Sequence, residues 1–427
     1  MRVLFIHRAF PAQFGRLALE LVKRYGWDCR FLVEHLSSCP SPSAEMLARL
    51  PLQAIEPGRP MSRDEDLPWP RRFGAALERG QAAYEALRRQ GPWEPDLVIG
   101  HGGLIPTLLV REVVPCPIVD YCEYYFAPQH RDLTYRLDFP TAELAPFFPR
   151  CINAATLVNL VACDAAYTAS QWQRSCFPER FRSKIEVHFD GVDTQLYRPR
   201  VVPRLLAGRT LSANTRVVTF VARGLESMRG FDLFMQMAQR ILAVRSDVLF
   251  AVVGGDDTYY GWDRLFTGDG SFKEWVLARG NYDPSRFLFL GHLEPGKLAE
   301  VLCLSDLHIY LSVPFVVSWS LFNALACGCT VLASDTEPVH EVIEAGKTGL
   351  LEPLFDVERL AHTALRVLRD PAANRALGKA ARLLVEEKYS LDVAVPAIKS
   401  YFEGVASTHR TACQFDPGTP PSGAHTS

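Results

Sequence analysis

Short apolar runs alternate along the chain with segments in which apolar residues recur every three or four positions. The run Arg2–His7 predicts a buried strand. Phe14, Leu17 and Leu21 then recur at helical spacing, and Gly26 is expected to end that helix. Strands separated by helices are typical of parallel sheets covered on both faces, so the pattern predicts an α/β fold. The predicted strands are Arg2–His7, Cys29–Glu34, Asp96–His101, Pro117–Cys122, Ala165–Ser170, Lys184–Asp190, Arg216–Ala222, Val248–Gly254, Phe287–Gly291, Leu307–Ser312 and Thr330–Ser334.

One interruption divides this pattern into two halves. Thr194–Thr215 contains Pro199 and Pro203 and no clear strand, so we predict a hinge there. Two parallel-sheet domains would then form a cleft at the carboxyl ends of both sheets, where open α/β sheets bind ligands. Ser37–Pro70 is rich in Ser and Pro and predicts mostly loop. The predicted domains are an N-terminal Rossmann-like domain at 1–198, a C-terminal one at 199–385, a helix at 386–404 that packs back on the first domain, and a disordered tail at 405–427.

Composition narrows the class of protein. With 427 residues, 48% of them hydrophobic, the chain can bury two ordinary cores, and its net charge of −2 offers no basic surface for nucleic acid. Met1–His7 leads directly into a strand and no apolar run reaches about 18 residues, so we expect neither a signal peptide nor a membrane span. The 11 cysteines are scattered, as is usual for free thiols in a reducing compartment. These features predict a cytoplasmic protein, and peripheral contact with the inner face of a membrane stays open.

Two arginines follow the first strand of the second half. The strand Arg216–Ala222 leads to Arg223, and Arg229 comes near the start of the next helix, beside Gly230. Two guanidinium groups can neutralise a diphosphate, and Gly224 would let the backbone approach it closely. The alternative is a pair of surface arginines that cap a turn.

A strand, a short loop and a helix form the second candidate for anion binding. The strand Leu307–Ser312 is followed by Val317, Ser318, Trp319 and Ser320, which open a helix. Backbone N–H groups at a helix start have no partner within the helix and favour an anion. Ser318 is also a plain helix N-cap, and the two roles are compatible.

The next helix carries two acidic residues. Glu337 and Glu341 lie four positions apart, and Pro338 suits the first turn of a helix. Residues at this spacing share one helix face. We expect that face to be solvated.

Several segments resemble family 4 glycosyltransferases, in the same order along the chain. The most informative is Tyr310–Gly328, YLSVPFVVSWSLFNALACG, which resembles the nucleotide-sugar site and is followed by SDTEPVHEV. It is most similar to a branch with the sequence PFVLSWSLLEAMA. The other matching segments are HRAFPAQFG at 7–15, FRSKIEVHFDGVDTQLYRP at 181–199, RVVTFVARGLESMRGFD at 216–232 and KTGLL at 347–351.

The resemblance implies a GT-B fold, in which two Rossmann-like domains face a central cleft. The donor would bind to the C-terminal domain and the acceptor mainly to the N-terminal one. The implied reaction is transfer of a sugar, with retention, from a UDP-, GDP- or ADP-sugar to a glycan or a lipid-linked acceptor, as in the synthesis of cell-surface polysaccharides and glycoconjugates. It implies no bound cofactor and no metal. Arg223 and Arg229 would contact the donor diphosphate.

Further residues at predicted strand ends are candidates for the site. His101 ends one strand and Glu123 follows the next, so both would border the cleft and could orient sugar hydroxyls. The alternative for each is a polar strand end at the surface. Gly15 is a candidate phosphate neighbour, Gly254 a candidate wall of the nucleotide site, and His292 follows the glycine of a loop that lines the nucleobase in the family.

Two positions depart from the family pattern. Many members have two glutamates that contact donor-sugar and ribose hydroxyls, where this chain has Phe315 and Asn323. A carboxylate accepts two hydrogen bonds with its full charge, whereas the amide of Asn323 would hold the ribose without that charge. An alternative function is therefore a non-catalytic GT-B protein that serves as partner or scaffold of an active enzyme. A nucleotide-sugar epimerase is a less favoured one.

Overall fold

The computed structural model describes residues 1–37, 41–55, 69–89, 91–127, 131–140 and 147–415, and its first half forms one parallel sheet with helices on both faces. The strands of this half are β1 (Arg2–Phe10), β2 (Asp28–Leu36), β3 (Leu52–Ala54), β4 (Leu97–His101), β5 (Ile118–Tyr121), β6 (Ala165–Thr168) and β7 (Ile185–Val187). Its helices are α1 (Gly15–Tyr25), α2 (Ala44–Arg49), α3 (Trp69–Arg88), α4 (Phe148–Ala162), α5 (Gln171–Cys176) and α6 (Glu179–Arg182).

The second half begins with a small hairpin and continues as another parallel sheet. Its strands are β8 (Leu205–Leu206), β9 (Arg209–Thr210), β10 (Arg216–Gly224), β11 (Val248–Gly255), β12 (Phe287–Phe289), β13 (Leu307–Tyr310), β14 (Val331–Ser334) and β15 (Leu350–Glu352). Its helices are α7 (Phe231–Leu242), α8 (Arg264–Thr267), α9 (Phe272–Leu277), α10 (Pro295–Cys303), α11 (Trp319–Ala326), α12 (Glu337–His340), α13 (Val357–Arg369), α14 (Arg375–Leu384) and α15 (Leu391–Phe415).

Both sheets have the strand order of dinucleotide-binding folds. The first runs β3-β2-β1-β4-β5-β6-β7 and the second β12-β11-β10-β13-β14-β15. Each therefore follows the order 3-2-1-4-5-6, to which the first sheet adds β7. In such sheets the order reverses at the centre, and the carboxyl ends of the central strands border a crevice. The site is accordingly expected after β1 and β4 in one sheet and after β10 and β13 in the other.

Each sheet carries one apolar core on each face. In the first half, α1 and α15 cover one face and α3 and α4 the other. In the second half, α7 and α13 cover one face and α10, α11 and α14 the other. Helix α15 belongs to the first core, because Leu391, Val395, Ile398 and Phe402 pack with Phe5 and its neighbours. That helix continues to Phe415, within the segment where disorder was predicted, and 416–427 lie outside the described residues.

The strands predicted from the apolar runs are all present, with ends that differ by a few residues. The prediction that Thr194–Thr215 contains no strand is wrong, because β8 and β9 pair as a hairpin whose turn residues Ala207 and Gly208 have φ of 49° and 76°. Two-residue strands are too short to show an apolar pattern. The segment Ser37–Pro70 is also less of a loop than predicted. Its described part includes α2 and the edge strand β3, while 38–40 and 56–68 lie outside the described residues.

A segment of the first half packs on the second domain. This strap, residues 131–140, follows β5 and lies against α7, α8 and α9. The guanidinium of Arg136 donates to both carboxylate oxygens of Asp232 at 3.0 and 2.7 Å, to Ser227 O at 2.9 Å, and to both oxygens of Asp138. Its five N–H donors are all used, and its side chain is only 5% exposed. Phe139 stacks on Phe266 at 4.8 Å. The strap therefore joins the two domains through a buried ion pair.

Within the part of the chain that the structure describes, no helix is both long enough and apolar enough to cross a bilayer.

Candidate active site

The first-domain wall of the cleft is built from residues at the ends of β4, β5 and β7. His101 is the last residue of β4 and is buried, and its Nε2 lies 3.4 Å from Oε2 of Glu123. Its Nδ1 has no hydrogen-bond partner among the described residues. The His101 ring also lies 5.0 Å from the ring of His7. His101 and Glu123 thus form a pair, which their predicted places at two strand ends did not specify.

The charge on Glu123 links this wall to the second domain. Desolvation raises the pKa of Glu123, but the hydrogen bond with His101 and the attraction of His101, Arg223 and Arg229 outweigh it and hold the pKa below its ordinary value. A carboxyl whose pKa is depressed in this way is ionised at neutral pH. The two arginines of the second domain therefore face the His101–Glu123 pair across the cleft.

The two arginines are held by the loops that follow β11 and β13. The guanidinium carbon of Arg223 lies 3.8 Å from the centre of the Tyr259 ring. Arg229 donates through Nη1 to Ser312 Oγ at 3.0 Å and to Val316 O at 3.2 Å. These contacts connect Arg229 to the loop that precedes α11. Arg229 therefore does not simply cap a turn, whereas for Arg223, which is exposed, the alternative of a surface arginine stays open.

A buried carboxyl group supports the aromatic residues above the arginines. Glu226 is 1% exposed and accepts hydrogen bonds from the backbone N–H groups of Tyr259 at 2.6 Å and Tyr260 at 3.0 Å. Burial raises the pKa of Glu226 to about 8, although Arg229 and the two backbone donors act in the opposite direction. Glu226 thereby fixes the loop that covers both arginines, and the sequence pattern did not single it out.

The start of α11 is capped as predicted. Ser318 has extended backbone angles, and its Oγ accepts from Ser320 N at 3.2 Å. The N–H of Ser318 donates to the hydroxyl of Tyr310 at 3.0 Å. Two of the four predicted anion donors are therefore already used within the chain. The backbone N–H groups of Val317 and Trp319 could donate to an anion without breaking either of these two hydrogen bonds.

The exposed face of α11 carries Trp319 and, one turn later, Asn323. Trp319 donates through Nε1 to Oδ2 of Asp190 at 3.3 Å, a contact between the two domains. Desolvation, together with the Glu123 charge, raises the pKa of Asp190 to about 7 despite hydrogen bonds from Gln13 and Trp319. The Asn323 side chain makes no hydrogen bond to a described residue. The sequence pattern placed Asp190 only at the end of a predicted strand and did not indicate its contact with Trp319.

Phe315 lies in an aromatic cluster contributed by both domains. It is 3% exposed, and its ring centre lies 4.7 Å from Tyr124, 6.0 Å from Phe126 and 4.8 Å from Tyr260. The Arg229 guanidinium is 5.6 Å from the same ring. The position at which the resemblance implies a sugar-binding glutamate is therefore packed with rings rather than open to hydroxyl groups.

Three further residues that were predicted to contact the nucleotide pack closely against neighbouring parts of the chain. A Cβ on Gly15 would lie 2.2 Å from Pro11 Cβ, and one on Gly254 would lie 2.5 Å from Ala222 O. The imidazole of His292 packs against the glycine that follows Gly254. These residues are thus explained by local packing, and their contacts with a nucleotide stay predictions.

Gly224 allows a close approach by the protein's own loop. A Cβ there would lie 2.3 Å from Asp257 O and 3.0 Å from the Tyr259 ring. We expect Gly224→Ala to displace this loop and to lower the free energy of unfolding by about 1–3 kcal/mol, as overpacking does. Thermal unfolding measures this effect. The control is Gly296→Ala in α10, where a Cβ meets nothing within 4 Å and alanine should stabilise the helix by up to about 1 kcal/mol. Equal changes in the free energy of unfolding for the two substitutions would contradict the close packing of this loop against Gly224.

Glu337 and Glu341 contact the first domain, so their shared face is not simply solvated as predicted. Glu341 accepts from the backbone N–H groups of Gln171 and Trp172, both at 2.8 Å. Glu337 accepts from Nε1 of Trp172 at 3.1 Å. These donors come from a helix start far away in sequence, which i, i+4 spacing cannot reveal. The hydrogen bonds of Glu337 and Glu341 therefore join the two domains at a second place, in addition to the bond between Trp319 and Asp190.

Two family profiles match consecutive parts of the chain. Residues 46–197 match the glycosyl transferase family 4 group, and residues 207–384 match the glycosyl transferases group 1. Together they cover about three quarters of the sequence. The chain belongs to the family 4 glycosyltransferases. The family predicted from the motifs is thereby confirmed, and the narrower branch with the SWSLLEAMA-like motif stays a prediction.

Individual relatives of the chain are distant in sequence. N-acetyl-alpha-D-glucosaminyl L-malate synthase of Bacillus anthracis is 24% identical over 223 residues, which are 52% of this chain. The match spans about half of that relative's length, 54%. Sucrose-phosphate synthase from Thermosynechococcus elongatus has a similar structure, with a TM-score of 0.72 at 19% identity over 96% of this chain and all of the other. Anabaena HepE, solved with UDP and glucose, has a TM-score of 0.68 at 15% identity over 95% of this chain and all of the other. The GT-B fold is thereby confirmed.

Among the residues that the structure describes, no group of three or more His, Cys, Asp or Glu side chains is placed to hold a metal ion.

Proposed function

We propose that the chain transfers a hexose-type sugar, with retention, from a nucleotide sugar to a hydroxyl group of a glycan or lipid-linked acceptor. One observation carries the proposal most directly: Arg223 and Arg229 of one domain face the ionised Glu123, paired with His101, of the other. A site with cations on one wall and a carboxylate with an imidazole on the other suits an anionic leaving group and a polyhydroxylated acceptor.

The chemistry follows from this division of charge. The bond between the anomeric carbon and the diphosphate oxygen breaks, and negative charge develops on the departing nucleoside diphosphate. Arg223 and Arg229 stabilise that charge, and the backbone N–H groups of Val317 and Trp319 add to it. The acceptor oxygen forms the new bond to the anomeric carbon, and its proton leaves with the nucleoside diphosphate. His101 and Glu123 orient hydroxyl groups of the two sugars.

Contacts between the domains support a role for cleft closure. The Trp319–Asp190 and Trp172–Glu341 hydrogen bonds join the two domains, and the Trp172 ring also stacks on Tyr124 of the aromatic cluster around Phe315. Closure of this kind excludes water and so limits hydrolysis of the donor. Donor entry requires these contacts to open.

The nucleotide is best sought first among UDP derivatives, because HepE was solved with UDP and with UDP-glucose. Calorimetric titration of the protein with UDP, GDP and ADP tests the proposal. Micromolar binding of one of them supports a working donor site.

Asn323 allows a direct test of the donor site. We expect Asn323→Glu to tighten nucleotide affinity about tenfold, because a charge-assisted hydrogen bond to the ribose is worth about 1.4 kcal/mol more than a neutral one. The control is Asn281→Glu, which adds the same charge at an exposed position of the same domain. An equal change in both variants, or no change in Asn323→Glu, would contradict the proposed ribose contact.

A second candidate function is a non-catalytic partner or scaffold, favoured by the buried Phe315 cluster and by Asn323. In that case the native protein binds none of the three nucleotides, and Asn323→Glu restores binding. The same titration therefore separates the two functions.

A further inference from the structure

Helix α11 contacts both segments through which the chain passes between the domains. The chain leaves the first domain after β7, in a first crossing at 188–197, and returns to it before α15, in a second crossing at 385–391. At the start of α11, the Nε1 of Trp319 donates to Asp190 of the first crossing. The middle and the end of α11 are bound to the crossings by separate contacts.

Three aromatic rings join the middle of α11 to both crossings. Phe322 is 3% exposed, and its ring centre lies 4.4 Å from that of Phe189 in the first crossing and 5.0 Å from that of Tyr389 in the second. The rings of Phe189 and Tyr389 are 5.1 Å apart, with an angle of 78° between their planes. Because rings in mutual contact leave no free space, a displacement of Phe322 displaces the other two.

One guanidinium makes the same connection at the end of α11. Arg382 of α14 donates through Nη1 to Ala326 O, at the last residue of α11, at 2.8 Å. The same nitrogen donates to Tyr197 O at 2.6 Å, and Nη2 donates to Thr194 O at 3.0 Å. The last carbonyl groups of a helix have no partner within it, so Arg382 caps α11 and binds the first crossing with the same group.

The two crossings also pair directly with each other. Val192 and Ser390 form a parallel bridge, in which the Val192 N–H donates to Tyr389 O at 2.7 Å and the Leu391 N–H donates to Val192 O at 2.9 Å. Gly191 precedes the bridge with a φ of 91°, and a Cβ there would lie 2.8 Å from Cδ2 of Leu391. A rotation of one domain relative to the other changes the backbone angles of both crossings, which meet at this bridge.

We propose that Phe322, Tyr389 and Arg382 are positioning residues that couple a nucleoside diphosphate bound at the start of α11 to rotation of the domains about the Val192–Ser390 bridge. This coupling rests on the proposed function, because it takes the nucleotide as the ligand of α11. A helix moves as a rigid element, so a shift of its first turn toward the diphosphate also displaces its middle and its end. The ring cluster and Arg382 transmit that shift to the crossings.

Hydrogen exchange of the full chain with and without UDP, followed by mass spectrometry, tests the coupling. In the native protein UDP should slow exchange at the start of α11 and also, at least about threefold, in the peptides that contain Val192 and Leu391, whose N–H groups form the bridge. In Tyr389→Leu the protection at α11 should remain and the protection at the bridge should be lost. Tyr389→Phe keeps the ring and should behave as the native protein does. Phe322→Leu should reproduce the result of Tyr389→Leu from the other side of the ring cluster.

Two outcomes of this experiment would overturn the coupling and leave the proposed function standing. One is protection at α11 alone in the native protein, and the other is equal protection of the bridge in Tyr389→Leu and in the native protein. Failure of the proposed function itself gives a different result. In that case UDP, GDP and ADP show neither calorimetric binding nor protection at α11, and the coupling falls with it.

The second test separates turnover from binding. Arg382→Ala should leave the Kd of UDP within about threefold of the native value and lower kcat for donor turnover about tenfold, because the nucleotide still binds while closure is impaired. The control is Arg375→Ala, which removes an exposed guanidinium from the same helix and should change neither quantity. A loss of affinity as large as the loss of kcat would show that Arg382 only supports the donor site, and it would contradict the coupling.

Discussion

Replacement of Arg229 by alanine is expected to weaken nucleotide binding by about 30-fold, which corresponds to about 2 kcal/mol for a lost charge-assisted contact to phosphate. The effect on turnover should be larger, about 10²–10³-fold, because charge on the leaving group grows toward the transition state. The same substitution also removes the hydrogen bonds that tie Ser312 and Val316 to the arginine, so the loop before α11 loses its anchor. Calorimetric titration and donor turnover measure the two effects.

Two variants make this result specific. Arg229→Lys keeps the charge and should retain most of the affinity, although it cannot reproduce both hydrogen bonds of the guanidinium. Arg279→Ala removes an exposed guanidinium that stacks on Trp275, and it should leave nucleotide binding unchanged. If Arg229→Ala binds nucleotide as well as Arg279→Ala does, the assignment of Arg229 to the diphosphate is wrong.

Replacement of Arg136 by alanine is expected to lower the free energy of unfolding by about 3–5 kcal/mol, as removal of one partner from a buried ion pair does. The loss leaves the Asp232 carboxylate, 9% exposed, without its bidentate partner, and it removes one of the two donors to Ser227 O, which keeps the N–H of Gly230. Urea unfolding, followed by fluorescence of the seven tryptophans, measures the change at the first cooperative transition.

The matched control for Arg136 lies on the same helix as Asp232. Arg240 pairs with Glu358 at the surface, with side chains 38% and 78% exposed, so Arg240→Ala should cost less than about 1 kcal/mol. Asp232→Asn keeps the shape of the pair and should give an intermediate loss. A loss for Arg136→Ala no greater than that for Arg240→Ala would show that the strap does not hold the domains together.

The elements could be predicted because their signals are local. The apolar run of β1, the helical spacing that follows it and the glycine that ends α1 lie within 26 residues, and Gly26 has the left-handed φ of 67° that ends a helix without strain. Ser318 was identified as a cap from its neighbours alone, and its Oγ does accept from Ser320 N. The same holds for Arg223 and Arg229, whose place after a strand was visible in the sequence.

The contacts between the domains could not be predicted. Arg136 and Asp232 are 96 positions apart, and Asp190 and Trp319 are 129 apart. Neither pair could be recognised from its neighbours in the sequence. A charged or aromatic residue in a loop has the same kind of local sequence whether its side chain contacts solvent or a distant partner. The hairpin of β8 and β9 was missed for a different reason, namely that two residues are too few for a period.

The sequence by itself determined the two parallel sheets, the family, and the strand ends on which the candidate site residues lie, since each of these follows from periodicity or from an ordered set of motifs. Only the tertiary structure decided which donors at the start of α11 are already used, that Phe315 is packed against rings of both domains, and that Glu341 joins the first domain. The physical reason is that periodicity reports which face of an element is buried. Packing between distant elements decides what that face meets.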